Sequence, residues 1–281
     1  MAESNFTASD LKEGGAAPGR VSCLGPEGSF SQQAAIKLCK GCEVLLCHSF
    51  PEVIQKLLKG EVNCAVIPVE NSLNGGVLEC LDLLEEKDIF GVQEFPLSVD
   101  HRLATLHGTR AEDIRYIYSH EQAIGQCANY LLKNFPTAEY VHTSATAESL
   151  ERLDAHSAGI VGAHVAREGI VLSPENIADN KSNFTRFMLV ERRGALPQTS
   201  AMVFFSAVCA DRPGSLLGLL KIFLRHGVNL TRIESRPVKE EFGQYRFFIE
   251  FAGDIATDWV KKALAEAEAY CTHFKLLGAY N

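Results

Sequence analysis

The stretch Asn180-Lys181-Ser182-Asn183-Phe184-Thr185-Arg186-Phe187-Met188-Leu189-Val190 is the point from which the chain is best read. Its second half alternates as a strand does, with Phe184, Arg186, Met188 and Val190 toward one face and Thr185, Phe187 and Leu189 toward the other. A hydroxyl, a guanidinium and an aromatic ring thus interrupt an otherwise apolar strand. Arginine presents a planar fork of donors that fits a carboxylate, and threonine presents one small donor that can be aimed. Taken alone, the pattern equally describes an edge strand whose Thr185 and Arg186 meet solvent. The segments that lead to it change the balance.

Upstream, strand and helix patterns alternate, and the turns between them are rich in small polar residues. Val21–Leu24 reads as a buried strand, followed by Gly25-Pro26-Glu27-Gly28-Ser29-Phe30-Ser31 and a helix over Gln32–Leu38. Backbone N–H groups and the hydroxyls of Ser29 and Ser31 gather there at a helix N-terminus, which favours an anion; a plain serine N-cap explains the same residues. After a short helix over Pro51–Leu58, Cys64–Val69 is a buried strand ending in Glu70-Asn71-Ser72-Leu73-Asn74-Gly75-Gly76, before a helical stripe at Val77, Leu78, Leu81 and Leu84. Ligands of α/β sheets bind at such carboxyl ends of strands.

Ile89–Phe95 is a strand, and Leu97–Leu106 an extended run carrying His101 and Arg102. Tyr116–Tyr118 runs into Ser119-His120-Glu121-Gln122, where Ser119 and Gln122 have capping-box spacing, and the helix continues to Leu132 with Gln126 one turn on. Glu139–His142 leads into Thr143-Ser144-Ala145-Thr146 and another helix. Ala158–Gly162 reads as a strand and Ala163–Gly169 as a helix. Repeated alternation implies parallel-rich sheets with helices on both sides. The passages near Ser98 and over residues 172–183 read as crossings between two lobes. Several polar strand-to-helix turns and one Arg-bearing strand together suggest a cleft for a small, oxygen-rich, negatively charged molecule.

Beyond the linker Gly194–Gln198 the pattern changes. Strand 201–210, the turn Asp211-Arg212-Pro213-Gly214, a helix to His226, strands Asn229–Val238 and Tyr245–Phe251, helix 256–269 and strand 272–279 make a ferredoxin-like βαββαβ unit of about 80 residues.

Composition narrows the class. With 281 residues, 46% of them hydrophobic, and 22% charged, the chain is an ordinary globular one of about two domains. The formal charge of −8 argues against a nucleic-acid or anionic-membrane surface. No run of about 18 apolar residues suggests a membrane span, and residues 1–20, polar and glycine-rich, read as a disordered tail rather than a signal peptide. The nine cysteines read as reduced thiols of a cytoplasmic protein. Cys39-Lys40-Gly41-Cys42 with Cys47-His48 forms one C-x-x-C without a second pair, a weak metal or redox signal, and no metal site is expected. Sequons such as those at Asn5, Asn183 and Asn229 carry no meaning without secretion.

Five motifs in order, Gly25–Ser31, Pro68-Val69-Glu70-Asn71-Ser72 with Gly75-Gly76, Ser119–Gln122 with Gln126-Cys127, Asn183–Phe187, and Glu234-Ser235-Arg236-Pro237, resemble the prephenate dehydratase family with a C-terminal ACT regulatory domain, from Val21 to the C-terminus. The chain departs from the family's pattern at Ser29 (usually threonine), Gln32 (often histidine), Glu121 (proline) and Gly214-Ser215-Leu216 (usually Gly-Ala-Leu). The last departure bears on effector affinity more than on catalysis.

The resemblance implies an α/β fold with two lobes like those of periplasmic binding proteins, plus an α+β ACT domain. The expected division is a tail over 1–20, a catalytic domain over 21–193 (lobe 1 about 21–98 and 176–193, lobe 2 about 99–175), a linker over 194–200 and an ACT domain over 201–281. No chorismate mutase domain is expected ahead of Val21. The implied reaction is loss of carbon dioxide and water from prephenate, without a cofactor. Thr185 would donate the proton to the departing hydroxyl, with Arg186 and Phe187 of the same motif beside it. Strand alternation sets Arg186 opposite Thr185, so a twist or bulge would be needed for both to reach one cleft. Ser29, Glu70, Asn71, Ser72, Gly75, Gly76, His101, Ser119, Gln122, Gln126, Ser144 and Thr146 are the expected substrate-binding positions. Glu70 is the awkward member, since a carboxylate beside a dianion repels it unless protonated or paired with a cation. L-phenylalanine would bind near Gly214, Ser215, Leu216, Asn229, Leu230, Glu234, Ser235, Arg236 and Pro237 at the interface of a homodimer or homotetramer. Two rival readings are arogenate dehydratase, which performs the same elimination on the amino analogue, and a non-catalytic amino-acid sensor.

Overall fold

The computed structural model describes residues 19–143, 145–238 and 243–281. The tail expected over residues 1–20 lies outside them except for Gly19 and Arg20, and Arg20 already belongs to the first strand. In chain order the first part contains β1 (Arg20–Leu24), α1 (Phe30–Leu38), β2 (Glu43–Cys47), α2 (Phe50–Leu58), β3 (Cys64–Asn71), the two-residue β4 (Gly75–Gly76), α3 (Leu78–Glu86) and β5 (Ile89–Ser98). A second part follows with β6 (His101–Leu106), β7 (Tyr116–Ser119), α4 (Glu121–Gln126), α5 (Ala128–Asn134), β8 (Glu139–His142), β9 (Ser157–Gly162) and β10 (Ile170–Leu172). The chain then returns to the first part as β11 (Phe184–Arg192) and ends with β12 (Met202–Val208), α6 (Ser215–Arg225), β13 (Leu230–Pro237), β14 (Tyr245–Ala252), α7 (Asp258–Tyr270) and β15 (His273–Tyr280).

The strands form two sheets. The smaller has the order β10-β6-β9-β7-β8, and the larger runs β13-β14-β12-β15-β5-β11-β3-β1-β2 with β4 added to β3. β1 pairs parallel to both β2 and β3, whereas β11 runs antiparallel between β3 and β5. The strand read first in the sequence is therefore a central one, and Phe187 to Val190 are buried on both of its faces. On one face, Phe187 and Leu189 pack with Val21, Cys23, Val66 and helix α1; on the other, Met188 and Val190 join Ile54, Leu81, Phe204, Phe248 and Tyr280.

The C-terminal unit has the ferredoxin-like connectivity, and its edge strand β15 meets β5 at a single parallel pair, Gly278↔Gly91. The two glycines allow an approach in which a Cβ on Gly278 would sit 3.0 Å from the Gly91 carbonyl. Polar contacts reinforce the seam. Lys275 Nζ donates to the carbonyls of Leu84, Glu85 and Lys87 at 2.9, 2.6 and 2.7 Å, satisfying the open C-terminal end of α3. The buried Glu85 accepts from Ser206 and pairs with His273 at 2.6 Å.

Several sequence expectations change. The run Leu97–Leu106 is two strands in different sheets, broken at Val99-Asp100, where the chain crosses between lobes. The return crossing takes the last part of the passage over residues 172–183, just ahead of β11, because Ile177 and Ala178 are buried in the core of the second lobe. The two crossings are joined by Val99 N–H donating to Asn183 O at 2.9 Å. The helix expected over Ala163–Gly169 does not form. Those residues make two turns, closed by Val165 N to Gly162 O and Ile170 N to Arg167 O, and a helix so short has little to offset its nucleation cost. The helix expected through Leu132 breaks at Cys127, and Asp179 supplies the missing cap of the second piece by accepting from Asn129 N and Tyr130 N at 3.0 and 3.3 Å.

Candidate active site

The carboxyl end of β3 lies beside the start of β11, in register Thr185↔Asn71 and Arg186↔Glu70. Directly paired residues share a face and successive residues alternate. Thr185 and Asn71 therefore occupy one face, Arg186 and Glu70 the other.

On the first face, Asn71 Nδ2 donates to Thr185 Oγ1 at 3.0 Å and to Asn183 Oδ1 at 3.1 Å. The Asn71 amide is oriented by its other end, because Oδ1 accepts from Leu73 N and Asn74 N at 3.1 and 3.3 Å in an Asx-type turn. Ser72 Oγ donates to Asn183 Oδ1 at 3.1 Å and accepts from Phe184 N at 3.0 Å. These bonds pin the loop after β3 to the crossing that precedes β11. Asn71 and Asn183 are buried and Thr185 is half-buried. Because the Thr185 oxygen accepts from Asn71, its own O–H remains free to donate elsewhere, and the amide donor stabilises any negative charge that develops on that oxygen.

A second cluster straddles the lobes. His101, buried at the start of β6, has Nε2 2.8 Å from Gln126 Oε1. Phe30 of α1 packs edge-on against His101 and tilted against His164, and His164 Nε2 donates to Gly28 O at 2.9 Å. Burial pushes both imidazoles below their ordinary value, against the opposing effects of the Gln126 bond on His101 and of Gly28 on His164.

Other anticipated positions fall elsewhere. Ser29 caps α1, its Oγ accepting from Gln32 N and donating to Leu24 O. Ser119 is fully buried and donates to Ile160 O at 2.9 Å; the α4 N-cap is His120, whose Nδ1 accepts from Gln122 N, in place of the expected capping box. Gln122 is exposed on the first turn of α4. Thr146 precedes a 3-10 turn over Ala147–Arg152, its carbonyl accepting from Ser149 Oγ, and Ser144 lies outside the described residues. Phe187 is a core residue, 2% exposed, packed with Val21, Cys23 and Leu189. Gly75 needs its φ of +76°, whereas Gly76 leaves room for the Glu234 carboxylate, which a Cβ there would meet at 2.4 Å.

Arg186 and Glu70 also leave the Thr185 face. The Arg186 guanidinium pairs with Glu70 at 2.6 Å, with Glu94, and with Glu250 of β14 at 3.0 Å. Burial alone would lower its pKa, but the bond to Glu94 and the charges of Glu250 and Glu94 outweigh burial and raise it. The bulge between Arg186 and Phe187 is present, yet it does not bring Arg186 round to Thr185. Glu70 thus has the cationic partner that its position demanded.

In the C-terminal unit, Glu234 pairs with Arg232 at 2.6 Å and Arg236 with Asp82 of α3 at 2.5 Å. Gly214 takes the left-handed conformation ahead of α6, and Ser215 and Leu216 begin that helix. Leu230 opens β13 directly after Asn229, while Ser235 and Pro237 are exposed along the strand. Cys39 and Cys47 are buried in separate apolar clusters, and Cys39 Sγ lies 3.7 Å from Cys64 Sγ. The residues that sequence reasoning missed are Asn183, two positions before Thr185 in the quoted motif, and His164, Glu94 and Glu250, which carry no local signal.

Comparison with known proteins agrees with this architecture. Residues 21–195 match the model of the prephenate dehydratase family, and residues 203–269 that of the ACT domain. A prephenate dehydratase of Amycolatopsis methanolica is 34% identical over 93% of this chain and 88% of its own. An arogenate dehydratase/prephenate dehydratase of Arabidopsis thaliana is 32% identical over 93% and 72%. The solved structure of prephenate dehydratase from Arthrobacter aurescens, in complex with L-Phe, superposes with a TM-score of 0.85 at 33% identity, covering 93% of this chain and 89% of that one. With two lobes, a C-terminal ferredoxin-like unit and family matches across both, the chain belongs to the prephenate dehydratase family of lyases and carries an ACT domain.

Proposed function

We propose that this chain converts prephenate to phenylpyruvate, with Thr185 as proton donor to the departing hydroxyl and L-phenylalanine as feedback inhibitor through the ACT domain. The observation that carries this reading is the direction of the Asn71–Thr185 hydrogen bond, which leaves the threonine proton free. In the reaction the bond from the ring to its carboxylate breaks and carbon dioxide leaves. The electron pair moves through the ring and expels the hydroxyl, and the proton from Thr185 completes water. The alkoxide left on Thr185 is stabilised by the Asn71 amide and regains its proton from solvent. Aromatisation supplies the driving force, so the chemistry calls for no redox or metal cofactor.

Thr185 is bonded by Asn71, which with Asn183 and Ser72 forms a network of neutral donors and acceptors. That suits an elimination in which the departing carboxylate must not be over-stabilised by a cation, since ground-state pairing would raise the barrier. His101, Gln126 and Gln122 remain the candidate orienting groups from the second lobe. Effector binding is supported by the L-Phe complex of the Arthrobacter relative and by Ser215, whose Oγ is buried without a hydrogen-bond partner among the described residues. The edge strand β13 and the exposed Leu217, Leu224 and Ile233 suit pairing of two C-terminal domains, and hence a dimer or a larger even assembly.

The test is turnover of prephenate and, separately, arogenate, with and without L-phenylalanine. Phenylpyruvate formation suppressed by phenylalanine supports the reading. A preference for arogenate moves the assignment to the sister activity that the Arabidopsis relative's name includes. Phenylalanine binding with no turnover of either compound overturns it in favour of a sensor.

A further inference from the structure

We infer that Arg186 is a positioning residue rather than a substrate ligand: it fastens the catalytic end of β11 to Glu250 of the ACT domain and so sets the geometry of Thr185 and Asn71. The inference rests on the functional reading above and adds a role for the face of the sheet turned away from Thr185. Two neighbouring cross-strand pairs join β3 and β11, and they point in opposite directions. Thr185 with Asn71 forms the proton-donor pair, and Arg186 with Glu70 the pair turned toward β14.

The strand end that carries both pairs keeps a regular register with β5 on one side but is irregular against β3 on the other. Register with β3 shifts between Arg186 and Phe187, where Val69 is the extra residue, so the last pairs are offset from the regular ladder that follows. A bulge of this kind re-aims side chains and loosens local pairing. On the face turned from Thr185, what ties this end to the ACT domain is the guanidinium, 14% exposed and gripped by Glu70, Glu94 and Glu250.

Glu250 is the rigid member of the three. It is 1% exposed, accepts from Tyr280 Oη at 2.8 Å, and sits on β14 in the body of the ACT domain. Arg232 extends the same cluster, donating to Val69 O at 3.3 Å at the bulge itself and pairing with Glu234. A displacement of β13 or β14 relative to β11 must therefore either break a buried ion pair, leaving an uncompensated charge, or drag the backbone of Arg186 and with it Thr185, one residue away.

The experiment compares Glu250→Gln and Arg186→Lys with the wild-type chain. The first keeps shape and removes one charge; the second keeps charge but loses the planar fork that spans three carboxylates. The readouts are kcat and KM for prephenate, and the NMR signal of the Asn71 side-chain amide, assigned by its disappearance in Asn71→Asp. We expect kcat to fall at least about tenfold in both variants, with KM within about threefold, as for a misplaced rather than a missing group. The Asn71 amide signal should move in both, and the double variant should lose little more than the worse single one, because one link is cut twice. Unchanged kcat and an unmoved Asn71 signal in folded Glu250→Gln overturn the inference. So does a raised KM with intact kcat in Arg186→Lys, which would make Arg186 a substrate ligand. Should Glu250→Gln fail to fold, Glu94→Gln, on the more exposed side of the cluster, carries the same expectation. Should the wild-type chain turn over neither substrate, the functional reading falls while the Asn71 signal still decides whether the link exists.

Discussion

The Asn71 amide and the Thr185 hydroxyl lie 3.0 Å apart on facing strands, with the amide as donor. The Asn71 carboxamide cannot flip without losing Leu73 N–H and Asn74 N–H from its oxygen, so the donor's identity is fixed by the turn that follows β3. Replacing Asn71 with Asp reverses that arrangement, since a carboxylate only accepts and would take the Thr185 proton for itself. We expect Asn71→Asp to lose about 10²- to 10³-fold in kcat, the scale of removing one donor from a developing negative charge, with KM changing far less. Steady-state kinetics with prephenate check this, and an unimpaired Asn71→Asp would rule out the proposed proton path.

Thr185 itself separates proton donation from packing. Thr185→Val keeps the branched shape and deletes the hydroxyl, and should lower kcat by about 10²- to 10⁴-fold, the usual range for a general acid. Thr185→Ser keeps the donor and should retain most of the rate lost by the valine variant. Equal defects in the two would assign Thr185 a packing role only.

Much of this is legible in the sequence, for reasons that differ by residue. The alternation of β11 is readable because its period is set by backbone geometry, and that period alone sets Arg186 opposite Thr185. The helix start at Ser29 follows from a local side-chain-to-backbone bond, which a sequence displays directly. What the sequence hides is tertiary. Glu94 and Glu250 meet Arg186 from 92 and 64 positions away, and neither has a neighbouring motif to mark it. His164 falls in a stretch whose spacing suggests a helix, whereas its ring is held by Gly28 and Phe30 of the other lobe. Ser119 sits at a strand end beside a helix start, the usual place for a ligand contact, but its side chain turns inward to Ile160.

The buried His101 and the half-buried His164 should make stability depend on pH. Burial holds His101 and His164 below the ordinary value of 6.5, so they bind protons less readily folded than unfolded. Their contribution is therefore fully present above about pH 6.5 and is lost as the pH falls toward their folded values. The urea midpoint should drop between pH 7.5 and 5.5 by more in the wild-type chain than in His164→Gln or His101→Gln. Identical slopes in all three would show that neither ring carries a folding-linked proton.

Gly278 tests the seam between the ACT domain and the rest of the large sheet. Its backbone pairs with Gly91, and an added methyl would sit 3.0 Å from the Gly91 carbonyl and 3.2 Å from the Tyr280 ring. A carbonyl in a central strand cannot swing away as a flexible side chain can, so β15 would have to move. That movement carries Tyr280, whose hydroxyl bonds Glu250, and through Glu250 the Arg186 cluster. Gly278→Ala should therefore cost about 1–3 kcal/mol in urea unfolding, the range for overpacking a tight site, and should lower kcat although the substitution lies on the ACT domain. A loss below about 0.5 kcal/mol would place it among neutral surface changes and show that the two parts of the sheet adjust independently at this contact.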